Sequence, residues 1–260
     1  MRRKLLVAGG IGIALMTSNV AHAAVNDLRL FHLGESDVPP AIAFAPGDAT
    51  TVDSISAANA TKVGNTFYDP AGLAPGSSFA MRFQNVDSRY VSTATTGLTA
   101  DFGIEAYVNP SSTVPVTIFY NGTGGTGAGL GISGGQYVGV VGTTLVPSGV
   151  AVTPGVPVEL ALVEQGPTNS FTVYVNDVAP LPATSVASYA PAAAGDDLII
   201  GQWHQDQPVP YAGVVDEARI FQFAPGGFNM GDLGSAAVPE PGSVGLLGLG
   251  ALAFLKRRQR

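Results

Sequence analysis

Between positions 24 and about 223 the chain is a succession of short β-rich runs, punctuated by Gly, Pro, Asn and Asp. It shows no sustained period of 3.6. The clearest runs are 78–83, 102–108, 117–120, 135–141, 156–163, 170–175, 198–203 and 214–223. Several alternate. In 102–108, Phe102, Ile104, Ala106 and Val108 share one face while Glu105 and Tyr107 take the other. In 170–175, Phe171, Val173 and Val175 oppose Thr172 and Tyr174. A strand with one buried face requires this alternation. Many short antiparallel strands over some 200 residues predict an all-β fold, a two-sheet antiparallel β-sandwich of jelly-roll type.

Composition then removes whole classes of chemistry. The 260 residues contain no cysteine, so there is no disulfide framework, no thiolate zinc site and no thiol nucleophile. The net charge of −7 conceals an asymmetry. Seven of the 12 basic residues lie at the two ends, leaving Arg29, Lys62, Arg82, Arg89 and Arg219 against 18 acids in positions 24–237, a net −13 there. Such a body repels phosphate backbones, which excludes nucleic acid as a partner, and it attracts divalent cations.

The ends read as addresses. Arg2, Arg3 and Lys4 precede an apolar run over 5–16, and Ala21-His22-Ala23 supplies a small-x-small cleavage pattern. Residues 1–23 are expected to be a helical secretory signal, cut by a signal peptidase between Ala23 and Ala24. At the other end, Val238-Pro239-Glu240-Pro241 precedes 14 uncharged residues, 242–255, and then Lys256, Arg257, Arg258 and Arg260. The run is shorter than the roughly 20 residues of a full membrane span. It is expected to form a short hydrophobic helix that anchors transiently in the inner membrane with its basic end inside.

This ending resembles the PEP-CTERM sorting signal of Gram-negative bacteria. The resemblance implies an exosortase-type partner, cleavage near Pro239-Glu240-Pro241, and delivery to the cell surface or the extracellular polysaccharide matrix. A plain C-terminal anchor is the alternative. The expected organisation is a signal peptide at 1–23, a jelly-roll domain at 24–223, a linker at 224–237 and the sorting signal at 238–260.

The body carries a second resemblance. Five pieces follow in the order found in the laminin-G-like (LamG), concanavalin A-like jelly roll: Leu30 to Glu35, Asp101 to Val108, Val156 to Val163, Phe171 to Asp177 and Tyr211 to Ile220. Tyr107 stands where relatives usually have Trp, and Pro157-Val158-Glu159 replaces an aromatic and His residues.

Within the closing piece, strict alternation puts Glu217 and Arg219 on one face, paired with each other or with a neighbouring strand, and Asp216 on the other. A carboxylate on an apolar face needs hydrogen bonds or a cation. Calcium suits oxygen donors of this kind, and Asp196, Asp197 and Asp216 are its candidate ligands, with Asp206 nearby. Only His32 and His204 remain after signal removal, 172 positions apart, too few for a dedicated zinc site.

Enzyme signatures are weak. Glycoside hydrolases need paired carboxylates across a groove, and no Glu-x-Asp-x-x-Glu string occurs. Gly131-Ile132-Ser133-Gly134-Gly135 satisfies G-x-S-x-G but leads into a strand, so a glycine hairpin is expected instead of a nucleophile elbow. The G-x-G-x-x-G at 122–127 has no helix after it and reads as a loop.

The loop 201–211 gathers Trp203, His204, Gln205, Asp206 and Tyr211, the mixture of aromatic platform and hydrogen-bonding groups that binds sugars. The alternative is that Trp203 caps the core beside Ile199. The sequence predicts an exported, non-enzymatic, glycan- or exopolysaccharide-associated β-sandwich. A structural or adhesive surface protein and a divergent polysaccharide hydrolase are the other two readings.

Overall fold

The structure is a computed structural model that describes residues 25–35, 42–202 and 209–234. The expected signal helix and C-terminal helix, with Ala23, Ala24, Pro239, Glu240, Pro241, Arg257 and Arg258, lie outside the described residues, as do Trp203, His204, Gln205 and Asp206. No helix among the described residues is long and apolar enough to cross a membrane.

Among the described residues fourteen strands form in chain order: β1 (Asn26–Phe31), β2 (Thr50–Thr51), β3 (Ala60–Asp69), β4 (Ala80–Ser92), β5 (Phe102–Pro110), β6 (Val116–Asn121), β7 (Ala128–Ser133), β8 (Gln136–Val141), β9 (Thr144–Ala151), β10 (Val158–Gln165), β11 (Ser170–Val175), β12 (Thr184–Ser185), β13 (Leu198–Ile200) and β14 (Gly213–Gln222). Their order is β12-β11-β10-β5-β14-β4-β13-β6-β7-β8-β9, with β1 beside β14 and β3 joining β2 to β4. Every strand pairing is antiparallel. The hydrogen bonding is continuous, so the two expected sheets are two layers of one folded sheet. The strands β10 and β11 pack over β7, β8 and β9.

The core between the layers is made by the residues that alternation assigns to it. Phe102, Ile104, Ala106 and Val108 of β5, Leu160 and Leu162 of β10, and Phe171, Val173 and Val175 of β11 belong to one cluster with Leu130, Ile200 and Ile220. Phe102 and Phe171 meet edge to face, ring centroids 6.1 Å apart. Each such side chain, fully withdrawn from water, contributes about 1.5–3 kcal/mol.

The expected glycine hairpin is present. Gly134 and Gly135, at φ +57° and +73°, form the turn between β7 and β8, two left-handed residues that glycine adopts without a Cβ penalty.

The segment assigned to a linker is instead packed on the domain. Past β14 the chain turns back over the outer face of β10, β11 and β14. There Phe223, Phe228 and Leu233 cluster with Ala161, Val163, Tyr174 and Phe221. Phe228 stacks 5.5 Å from Tyr174 and 5.3 Å from Phe223. The chain is folded through Gly234, whose N–H donates to Glu105 Oε1 at 2.7 Å. This strap buries the second face of β5, and Glu105 beneath it is only 1% exposed.

Candidate metal centre

Strand β14 does not alternate throughout. Its register against β5 shifts between Asp216 and Arg219. Glu217, at φ +48°, occupies the left-handed region at the shift. For a residue with a Cβ this conformation costs on the order of 1–2 kcal/mol, and such a bulge re-aims side chains. Here it overturns the expected facing of three residues. Asp216 and Glu217 converge instead of diverging. Arg219 turns away from Glu217, giving Nε to Asp27 at 2.6 Å and Nη1 to Glu105 at 3.2 Å and to the Asp232 carbonyl at 2.9 Å.

Glu35, four residues beyond the end of β1, completes a group with Asp216 and Glu217. One carboxylate oxygen from each lies within 4.8 Å of the others. The loop 71–79 closes over the group. Leu73 N–H and Ala74 N–H donate to Asp216 Oδ2 at 2.8 and 3.1 Å. The Ser77 hydroxyl, Ser78 N–H and Phe79 N–H donate to Glu35 Oε1 at 2.8, 2.7 and 2.6 Å. His32 sets Nδ1 2.9 and 2.7 Å from the two oxygens of Glu217.

Burial, opposed by the Ala74 N–H bond and reinforced by the Glu217 charge, pushes the Asp216 pKa up to about 7. Burial also raises Glu217, against the pull of His32. Burial disfavours a charged His32, but the bond to Glu217 and the charges of Glu217, Glu35 and Asp216 together outweigh it and hold the ring above its usual pKa.

Two oxygens of the group, Glu35 Oε2 and Asp216 Oδ1, are buried and have no hydrogen-bond partner. Asp216 is fully buried. Oxygens bound to one calcium at 2.3–2.6 Å lie within about 5 Å of one another, so the spacing fits. The donors are carboxylates, which suit a hard divalent cation. Glu35, Asp216 and Glu217 are the residues that would hold it.

Of the residues expected from sequence as calcium ligands, the structure places only Asp216 in this carboxylate group. Asp196 ties the 122–127 loop, accepting from Thr123 Oγ1 at 3.0 Å, Thr126 Oγ1 at 2.8 Å and Ala193 N–H at 2.8 Å. Asp197, buried beside it, forms no ligand group with Asp216 among the described residues. Tyr211 is no sugar platform. It is 1% exposed, its ring centroid 6.3 Å from that of Phe83, and its hydroxyl donates to the Val214 carbonyl at 3.2 Å. Glu35 was present in the opening LamG-like piece, but nothing local to it signals a partner 181 positions away.

The other side of the loop 71–79 borders a cleft of about 230 Å³. Leu73 and Pro75 form one wall; Tyr107, Glu159, Asn176 and Asp177 lie around it. Tyr107 and Glu159 are direct cross-strand partners, and the Tyr107 hydroxyl donates to Glu159 Oε2 at 3.3 Å. A second hollow, about 270 Å³, lies on β6–β9 and is mostly aliphatic, lined by Val116, Ile132, Val138, Val140 and Leu145.

The fold is shared with proteins of very different size. The binding domain of Paraclostridial Mosquitocidal Protein 1 superposes with a TM-score of 0.54 at 13% identity, over 73% of this chain and 50% of that one. The receptor binding domain of botulinum neurotoxin D gives 0.53 at 10% identity, over 80% and 51%. A Trypanosoma rangeli sialidase mutant gives 0.52 at 14% identity, over 80% and 32%. The chain thus spans about half, or less, of the length of these three structures. No curated protein matches it.

A family model of the PEP-CTERM protein-sorting motif matches residues 237–260. That motif marks an exported protein of a Gram-negative bacterium, processed by an exosortase-type enzyme and placed at the surface or outside the cell. A second model matches residues 85–225, the stretch that contains β5–β14 and both carboxylates of the bulge. On that match the chain belongs to the concanavalin A-like lectin/glucanases superfamily.

Proposed function

We propose that the protein is a non-enzymatic, glycan-associated component of the cell surface or extracellular matrix. In this reading residues 1–23 are removed at export, the sorting signal anchors the chain transiently in the inner membrane, and cleavage near Pro239-Glu240-Pro241 releases the domain. The observation that carries the proposal is the joining of an exosortase-type sorting motif to a lectin/glucanase-superfamily domain in one chain. A polysaccharide outside the cell is the partner that both halves suit.

The absence of catalysis rests on the carboxylates. A glycosidase sets two carboxyls about 5 to 9.5 Å apart across an open groove. The three-carboxylate group here does not flank an open groove: the loop 71–79 covers it. The cation held by Glu35, Asp216 and Glu217 acts as a fastener between the first strand, the last strand and that loop.

The test is to purify the protein from its matrix, determine its termini by mass spectrometry, and measure binding to the polysaccharide of the producing cell. An N-terminus at Ala24, a C-terminus near Pro239 and saturable binding without sugar release support the proposal. Release of reducing sugar, abolished by Asp216→Asn or Glu159→Gln, would replace it with a hydrolase. An intact basic C-terminus on surface protein would remove the sorting argument.

A further inference from the structure

We propose that the cleft between Leu73, Pro75 and the Tyr107–Glu159 pair binds an amino-bearing saccharide, a hexosamine unit, and that the neighbouring cation centre sets its affinity by fixing the shared loop. The inference deepens the glycan reading above and rests on it.

The cleft is built by three elements. Tyr107 of β5 and Glu159 of β10 face each other across the strand pair. The turn that follows β11 adds Asn176 and Asp177, both left-handed at φ +51° and +59°. This turn is pinned to the site: Asn176 N–H donates to the Glu159 carbonyl and Glu159 N–H to Asn176 Oδ1, each at 2.9 Å. The third element is the loop carrying Leu73 and Pro75. A volume of about 230 Å³ suits one sugar ring and little more.

Charge selects the ligand. Glu159 and Asp177 are both acidic residues, and among the described residues no basic side chain lines the cleft. All five basic residues of the body are engaged within it: Arg29 with Asp53, Arg82 with Asp69, Arg89 with Asp87, Arg219 with Asp27 and Glu105, and Lys62 with the Gly47 carbonyl. Uronate, sulfate and phosphate groups therefore find no cation here and meet the acidic Asp177. Glu159 is only 9% exposed, and its Oε1 is buried without a hydrogen-bond partner. In the free protein burial keeps a proton on this carboxyl up to about pH 8, and an ammonium seated beside it would take that proton's place. An ammonium supplies three donors and positive charge, and a tyrosine ring beside it adds cation–π attraction. Leu73 and Pro75 give the sugar's apolar edge a surface.

The link to the cation follows from the loop. The N–H groups of Leu73 and Ala74 are bonded to Asp216, and those of Ser78 and Phe79 to Glu35. A cation that neutralises these carboxylates holds the wall in place. Without it, the two acids that anchor the segment, Asp216 and Glu35, crowd against a third, Glu217.

The experiment is calorimetry on the full chain in detergent micelles, titrated with glucosamine trisaccharide or its N-acetylated counterpart, with calcium or with chelator. The glucosamine oligomer is expected to bind about tenfold more tightly than the acetylated one, the loss of roughly one ion-pair or cation–π contact. Chelation is expected to weaken it about as much. Tyr107→Ala and the milder Asp177→Asn, on the exposed turn, are expected to lower saccharide affinity and leave calcium binding unchanged. Asp216→Asn should lower both. Equal binding of the acetylated oligomer, or indifference to Asp177→Asn and Tyr107→Ala, would overturn the ligand assignment. Indifference to chelator would overturn the coupling. Polysaccharide binding that ignores both cleft variants would sink this inference and leave the glycan reading standing; a matrix-located protein that binds no saccharide would sink the glycan reading itself.

Discussion

Replacing Glu159 by Gln should make the protein more stable in mild alkali and leave it nearly unchanged in mild acid. Burial first, and then the charges of Glu105 and Asp177, push the Glu159 pKa from 4.5 up to about 8; the Tyr107 hydroxyl bond offsets this only in part. An unfolded Glu159 loses its proton near 4.5. The folded state therefore holds more protons than the unfolded state between those two values. Its stabilising contribution is complete below about pH 4.5 and is lost as pH rises toward 8.

Full linkage over that interval would amount to about 5 kcal/mol. Water at the neighbouring cleft screens the charge and reduces it to about 2 kcal/mol. Gln keeps an acceptor for the Tyr107 hydroxyl, puts N–H where the carboxyl carries its proton, and cannot ionise. The assay is thermal unfolding of the two proteins at pH 5 and pH 8.5 with calcium held constant. Two kcal/mol in a domain of this size corresponds to a gain of roughly 4–8 °C for the variant at the higher pH. Equal melting at both pH values, or a variant that melts lower at pH 8.5, would show that Glu159 ionises freely in the folded protein.

Three further outcomes follow from the packing and the acidic group. Calcium at a hundredfold excess over its dissociation constant should stabilise the fold by about 2.7 kcal/mol, a rise of roughly 5–10 °C; Asp216→Asn should abolish the rise, and a melting point indifferent to millimolar calcium would argue against the site. Arg219→Met should cost about 3–5 kcal/mol, because Glu105 is left buried without its cation; urea unfolding measures it, and a loss under 1 kcal/mol would mean that the strap's hydrogen bonds alone satisfy Glu105. Phe228→Ala should cost about 2 kcal/mol by opening the aromatic cluster over β10 and β11, and should speed hydrogen exchange at Gly234 selectively; uniform exchange across the domain would contradict a separately docked strap.

Side-chain alternation made much of the fold legible. It located β5 and β11 and their buried faces, because hydrophobic side chains there recur with a period of two. It missed β7, where Gly129 and Gly131 leave nothing to alternate, and β9, where Pro147 and Gly149 interrupt the pattern. The polar run of β3 carried no apolar period either. The carboxylate group of Glu35, Asp216 and Glu217 was hidden by one backbone dihedral. Nothing in the sequence marks Glu217 as left-handed, and strict alternation then sends Asp216 and Glu217 apart. The isolated Glu35 and the isolated Glu159 gain meaning only through long-range pairing. The strap was read as a linker because Gly226, Gly227 and Gly231 resemble turn chemistry, whereas Phe228 and Leu233 decide its fate.

The docked strap also limits the machinery that must act on this chain. Folded structure persists to Gly234, and the matched sorting motif opens at residue 237. Three residues reach at most about 11 Å, whatever conformation they take. A processing enzyme gripping the motif would therefore work almost in touch with the acidic flank of the sandwich. Its mouth must either be shaped and charged to tolerate that flank, or catch the chain before the last strand is overlaid.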